Sequence, residues 1–331
     1  MRNPRFTELV DVICYRRTEM DEHIDRREFV KRCVVAGAGL VAGTSLAKSL
    51  EHAVLPPKYD LCSVAGDRPF EDARRAVEAL GGMRTFVKPG STVGILINSP
   101  LDHRGAYTNP EVSLAVIAMC LEAGAKQLYT LNNVSQRYWR RSKRSDSMRT
   151  AIESLRYSDA KTEVAIDRAK LLKNAEISSM LLSCDVFINI PIIKDHEGTK
   201  FTCTMKNVMG ACSGSTCRRF HFGDASPVTT LFKGYYSDVE TLAQSIADIN
   251  LVRRPDLSVV DATEILVTNG PSGPGDIRAP REIIASTNCL AADMYAVRHL
   301  GLNGETLPVI RCALQHGYGP KSLKDVRMLN L

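Results

Sequence analysis

The feature that most constrains this chain is a set of short, continuously apolar runs rather than alternating ones. Val186 to Ile193 is the clearest, and Val93 to Asn98, Gln127 to Leu131, Leu257 to Asp261 and Glu282 to Ser286 read the same way. A strand that is apolar on both faces must be covered on both, which is the situation of a parallel strand packed between helices. Helical patterns stand between these runs. In Thr108-Asn109-Pro110-Glu111 a polar cap precedes a proline at the first helical position, and Gly124 ends the apolar stripe. Ser237 and Glu240 have capping-box spacing ahead of Val239, Leu242, Ile246 and Ile249, and Asn288 opens a helix that stops at Gly301. Strand, helix and strand in repetition predict an α/β fold, a doubly wound and mostly parallel sheet with helices on both faces. With no low-complexity linker after residue 60, we expect a single domain over 51–331.

Residues 1–50 read differently. Arg26-Arg27-Glu28-Phe29-Val30-Lys31 matches the twin-arginine export pattern of paired arginines followed by Phe, an aliphatic residue and Lys. An Ala- and Gly-rich apolar stretch, Cys33 to Ala47, follows, with small residues at Ser45 and Ala47 suited to cleavage. That stretch is shorter than the roughly twenty residues a bilayer span requires, so no permanent membrane span is expected. The reading is a twin-arginine export leader and spacer, with the translocase as a transient partner and a periplasmic or other extracytoplasmic destination. Proteins exported in the folded state often carry a cofactor acquired beforehand, which leaves a metal ion or an organic cofactor open.

The formal charge of +6 over 331 residues is too mild to imply nucleic acid. One cluster, Arg137, Arg140, Arg141, Lys143 and Arg144 around Tyr138 and Trp139, could grip phosphates. A short charge run is more often a solvated loop, and no nucleic-acid partner is expected; covering a nearby pocket is the role we would look for first.

The densest chemistry follows the Val186 strand, where sites lie in sheets of this kind. Lys194, His196, Thr199, Lys200, Thr202, Thr204, Lys206 and Asn207 fall within fourteen residues. Lysines at 194, 200 and 206 would neutralise anionic oxygens, Thr202, Thr204 and Asn207 would orient them, and His196 would move a proton or hold a metal. Asp248 and Asp261, with Asn109, are candidates to converge on the same place; each Asp could equally be a cap or an ion-pair partner. The loop Gly270-Pro-Ser-Gly-Pro-Gly275 lacks phosphate-loop spacing and reads as a rigid turn or lid hinge.

The stretch Asn189-Ile-Pro-Ile-Ile-Lys-Asp-His-Glu-Gly-Thr-Lys-Phe-Thr-Cys-Thr-Met-Lys-Asn-Val-Met-Gly210 resembles the signature of the DUF362 family, a domain of unknown function. Thr108 to Glu111, Ile246 to Asn250, Arg254 to Leu257, Val259 to Asp261 and Ala292-Asp293 agree with it. The resemblance implies no settled reaction. Some members carry an added iron–sulfur module, but the closely spaced cysteines of that module are absent from this chain, and Asn288-Cys289-Leu290 stands where an Asp-Pro pair is usual.

Ten cysteines are present, Cys14 and Cys33 in the leader. Cys120 and Cys184 sit in apolar stretches and read as buried small hydrophobes. Cys203, Cys212 and Cys217, with His221 and Asp224 nearby, could be free thiols, a disulfide, or ligands of a soft metal ion or iron–sulfur cluster. The leading expectation is an exported enzyme that binds a small anionic substrate or cofactor at the Lys/His/Thr/Asn loop. A non-catalytic redox or metal carrier using the cysteines, and a periplasmic anion-binding module, are the alternatives.

Overall fold

Among the described residues eight strands pair into one sheet: β1 (Leu61–Ala65), β2 (Thr92–Ile97), β3 (Gln127–Thr130), β4 (Arg156–Tyr157), β5 (Val186–Ile190), β6 (Leu257–Ala262), β7 (Glu282–Ser286) and β8 (Met328–Asn330). The computed structural model describes residues 57–222 and 239–331, all within the unit Pro56–Leu331. The leader with Cys14 and Cys33, and Asp224 and Ser237, lie outside the described residues.

Across the sheet the order is β8-β1-β7-β6-β5-β2-β3-β4. All neighbours are parallel except at β7, which runs antiparallel to both β1 and β6. The sheet is therefore α/β and mostly parallel.

Apolar character on both strand faces has a direct structural counterpart. Successive side chains point to opposite faces, so each strand feeds two cores at once. Val93, Ile95 and Ile97 of β2, Ile188 and Ile190 of β5, and Val259 of β6 pack on one side with α1 (Pro69–Ala79) and α2 (Pro110–Glu122). Leu96, Phe187 and Val260 from the same strands face the other side. There they meet α3 (Thr204–Asn207), α4 (Gly214–Phe222), α5 (Val239–Ile249), α6 (Cys289–Ala296) and α7 (Pro308–Gln315). Helix α2 begins as its sequence predicts, with the Asn109 side chain accepting from the Glu111 N–H and Pro110 in the first turn. Asn288 caps α6 in the same way, accepting from the Ala291 N–H.

From β2 the chain moves by way of α2 to β3 on one side, whereas β5 leads to β6 on the other. The winding thus reverses between β2 and β5, and the crevice beyond their carboxyl ends is where such folds place ligands.

The basic run is tied down rather than free. Arg137 donates to Asp102 at 2.7 Å, Arg141 pairs with the same carboxylate, and Arg144 bridges Glu71 and Glu111. Tyr138 is fully buried with its hydroxyl 2.7 Å from that of Ser113, and Trp139 is buried beside it. Arg141 also donates to the Leu101 carbonyl. The cluster therefore holds the segment around Leu101, which forms part of the wall described next.

Candidate functional site

Beyond the carboxyl ends of β2, β3 and β5 lies a cavity of about 460 Å³. Asn98 follows β2, Asn132 and Asn133 follow β3, Lys194 and Thr202 follow β5, and α3 and α4 contribute Lys206, Asn207 and Cys217. No Asp or Glu lines it among the described residues.

The loop after β5 folds back on itself. The Lys194 and Thr202 backbones exchange hydrogen bonds, Lys194 N to Thr202 O at 3.3 Å and Thr202 N to Lys194 O at 2.9 Å. This short bridge fixes both side chains on the cavity wall and extrudes the intervening residues. Lys200 falls on the extruded part: it is exposed, has φ +61, and does not line the cavity. The anionic contact expected of Lys200 is thereby corrected.

Lys194 is 3% exposed, and its Nζ donates to the Ala106 carbonyl at 2.6 Å and to Asn98 Oδ1 at 3.2 Å. Burial, and then the charge of Lys206, push its pKa down to about 7. Asparagines continue the network: Asn98 Nδ2 donates to Asn207 Oδ1 at 2.9 Å, Asn207 Nδ2 to Asn189 Oδ1 at 2.7 Å, and Asn189 Nδ2 to the Thr204 carbonyl at 2.8 Å. Each amide has one orientation as a result, and Asn207 is held in the wall rather than swinging free.

Helix α3 is anchored from below by Asp293 of α6. That carboxylate accepts from Thr204 N at 2.7 Å, Thr204 Oγ1 at 2.5 Å and Met205 N at 3.1 Å. Burial raises its pKa to about 6 against the lowering effect of these donors. Thr204 is consequently a buried anchor and does not line the cavity, which corrects the substrate contact expected of it.

Lys206 projects from this anchored turn into the cavity wall. It has neither an acceptor nor an ion-pair partner among the described residues, and burial lowers its pKa to about 8. Beside it, the buried Thr202 hydroxyl also has no hydrogen-bond partner. A buried hydroxyl without a protein partner is uncommon in a folded interior, and with the half-buried Lys206 on the same wall it points to a ligand that completes both.

His196 is placed apart from the cavity lining. Its Nδ1 accepts from the Gly198 N–H at 3.0 Å, which leaves the proton on Nε2. Burial and the charges of Lys206, His221 and Lys194 lower its pKa to about 2, so it is a neutral imidazole at physiological pH. With Nδ1 occupied, the general-base role expected of it is not supported by this geometry.

The carboxylates do not converge either. Asp248 accepts from the backbone N–H groups of Lys170, Leu171 and Leu172 and from Gln244, with His316 Nε2 at 2.8 Å. Asp261 accepts from Asn109 N at 2.6 Å and Thr263 N at 2.8 Å, and burial raises its pKa to about 6. Neither these two nor Asn109 lines the cavity. They fix loops, the capping role that was the alternative for each Asp.

All three cysteines of the loop are free thiols. Cys217 lines the cavity and donates to the Met209 carbonyl at 3.5 Å, while burial raises the pKa of Cys203 and of Cys212. Among the described residues no three His, Cys, Asp or Glu side chains are placed to hold one metal ion, so Cys203, Cys212, Cys217 and His221 are not assembled as a ligand set. These donors do not fit a cluster or soft metal as they stand.

Asn98, Asn132, Asn133 and Pro271 are lining residues that the motif-based reading passes over. The first two stand directly at the ends of predicted parallel strands, and that position is the signal that would have found them. Pro271 arrives because the Gly/Pro loop docks on the loop after β5: Gly270 N donates to Asp195 Oδ2 at 2.9 Å and Glu197 N to Gly270 O at 3.1 Å. The approach is so close that a Cβ at Gly270 would stand 1.9 Å from the Asp195 carbonyl oxygen.

Among known proteins, the chain is 25% identical over 261 residues to a thylakoid-associated protein of Synechocystis, covering 75% of this chain and 74% of that one. Among solved structures it is similar to a Thermotoga maritima protein (TM-score 0.40, 14% identity, 76% of this chain and 60% of that chain). It is also similar to a lactate racemase apoprotein from Thermoanaerobacterium thermosaccharolyticum (TM-score 0.38, 13% identity, 62% and 52%). The chain thus spans between half and two thirds of these solved chains. The sequence model for the Domain of unknown function (DUF362) matches residues 93–298, which run from the second residue of β2 through α6 and hold every polar group of the cavity, and the chain belongs to the DUF362 family.

Proposed function

We propose that this protein is an enzyme acting on a small anionic substrate, which it binds in the cavity between β2, β5 and α3. One observation carries the reading: among the described residues, Lys206 enters a cavity wall that has no carboxylate, beside a Thr202 hydroxyl that has no partner. A desolvated ammonium without a counter-ion is unfavourable, and an anionic oxygen bound there would relieve it while accepting from Thr202. Lys194 supports the reading of an enzyme over that of a simple anion carrier. A lysine with a pKa of about 7 exchanges a proton near neutrality, whereas a purely electrostatic anchor works best fully charged.

Calorimetric titration with short mono- and dicarboxylates and inorganic phosphate tests the site. At least one anion is expected to bind, and Lys206→Met is expected to weaken it by roughly 10- to 100-fold, the worth of about 1.5–3 kcal/mol for a charge-assisted hydrogen bond. The pH dependence has a definite sign. Binding favours the ammonium, so affinity holds below pH 8 and falls as pH rises through the free-protein value of Lys206, about 8. Equal affinity in the wild type and Lys206→Met would remove the reading.

We also propose that residues 1–50 direct export of the folded protein through the twin-arginine translocase. The support is the order of paired arginines, apolar stretch and small residues. No helix among the described residues is long and apolar enough to cross a membrane. In a bacterial host, residues 1–50 fused to a folded fluorescent reporter are expected to deliver it to the periplasm, and Arg26→Lys with Arg27→Lys to retain it in the cytoplasm. Delivery that ignores the double substitution would sink this proposal.

A further inference from the structure

The two lysines of the cavity are held in different ways, and the difference bears on what they do. Lys194 Nζ already donates to two fixed acceptors, the Ala106 carbonyl and Asn98 Oδ1. A neutral amine has two N–H bonds and one lone pair. With both N–H bonds engaged, the lone pair takes the one remaining tetrahedral direction, and Lys194 lines the cavity. Lys206 is held by no such acceptors among the described residues and remains available as a cation. One wall therefore offers an oriented amine beside an ammonium with no partner among the described residues, and Lys206 lies close enough for its charge to act on Lys194. Leu101, Met209 and Pro271 supply apolar wall beside them.

Resting on the anion site proposed above, we infer that the substrate is a short 2-oxo acid and that Lys194 Nζ forms an imine with its carbonyl carbon. Such an acid carries a carboxylate one bond away from an electrophilic carbon, matching an ammonium next to an amine. The carboxylate pairs with Lys206 and accepts from Thr202, while the alkyl end meets the apolar wall. The Lys194 lone pair forms the C–N bond as the carbonyl π electrons move to oxygen, and one of the two nitrogen protons passes to that oxygen to give a hydroxyl. The resulting carbinolamine expels its hydroxyl as water, using a proton from the Lys206 ammonium, and the proton shed by nitrogen returns to Lys206. The net change is amine plus ketone to imine plus water, with no oxidant or reductant. When the imine is protonated, its one N–H can donate to the Ala106 carbonyl or to Asn98 Oδ1, the acceptors Lys194 already uses. An iminium formed in this way withdraws electrons from the neighbouring carbons, which is the use enzymes make of a lysine activated by burial and a neighbouring cation.

The test uses the full chain as purified, incubated with pyruvate, 2-oxobutyrate or 2-oxoglutarate and treated with sodium borohydride. Hydride reduction of the imine traps a secondary amine. Intact mass is expected to rise by the mass of the acid less one oxygen atom, with peptide mapping placing the adduct on Lys194. Lys194→Arg, which keeps the charge, is expected to lose the adduct while still binding the acid by calorimetry. Lys206→Met is expected to form the same adduct only at 10-fold or higher acid concentration, and Lys200→Ala, outside the cavity lining, to form it normally. Lys194→Met, checked by its unfolding midpoint, serves as the second variant should the Arg substitution disturb folding. Acid binding without an adduct in the wild type, or an adduct that survives Lys194→Arg, would overturn the imine and leave the anion site standing. Wild-type protein that binds none of these acids, but does bind other anions, would overturn the substrate class.

Discussion

Asp248→Ala is expected to lower the unfolding free energy by about 3–5 kcal/mol, because it leaves three backbone N–H groups and two side-chain partners without their shared acceptor. The thermal midpoint should fall by roughly 10 °C. Burial by itself would raise the Asp248 pKa, but the Leu171, Lys170 and Leu172 amides and His316 outweigh it and hold the carboxyl below its ordinary value of 3.8. A depressed carboxylate contributes stability that is present above the unfolded-state pKa and lost as pH falls through the folded-state one. The gap between wild type and Asp248→Ala should therefore be largest at neutral pH and narrow as pH falls below about 4. Denaturant midpoints measured from pH 7 to pH 3 give the answer, and a gap that stays constant would show that the carboxylate charge is not what holds the 170–172 loop.

Asp293→Ala should match it in size, again about 3–5 kcal/mol, since the Thr204 and Met205 amides lose their acceptor inside the core. Its pH signature is opposite. Asp293 sits at about 6, above its ordinary 3.8, so its contribution is greatest where it is protonated and is lost as pH rises through 6. The penalty of the substitution should grow by about 2 kcal/mol between pH 7 and pH 4. This variant should also lose anion binding, because Lys206 and Asn207 ride on the turn that Asp293 secures. Asp248→Ala, which touches no lining residue, should bind normally wherever it is folded. Parallel behaviour of the two variants in acid or in binding would contradict the separate roles assigned to them.

The strands were legible because their apolar runs serve two cores. Predicted Val93 to Asn98 and Glu282 to Ser286 coincide with β2 and β7 to within two residues. The direction of β7 was not legible, since a doubly buried antiparallel strand has the same apolar pattern as a parallel one. Short β1 and β8 were passed over, β8 with only three residues and both without a long apolar run. In the cavity, Lys194, Thr202, Lys206 and Asn207 are carried there by one local fold, the back-bonded loop and the turn after it, so nearness in sequence became nearness in space. Asp248 and Asp261 illustrate the converse. An aspartate that caps buried amides and one that faces a ligand are written with the same letter near the same element ends, and only the distant partners, Leu172 for one and Asn109 for the other, separate them. Lys200 was indistinguishable from Lys194 by type and location; a six-residue offset along an extruded loop turned it to solvent.

The place of β1 in the sheet has a consequence for the life of the chain before it is complete. Its two neighbours are β7 and β8, so Leu61 waits for Ser286 and Met328 to be made. Through most of translation, Leu61, Cys62 and Val64 leave the ribosome with no strand to join, while β2, β3 and β5 can already associate. Such long-range pairing is slow and leaves β1 with an open edge until synthesis has passed residue 286.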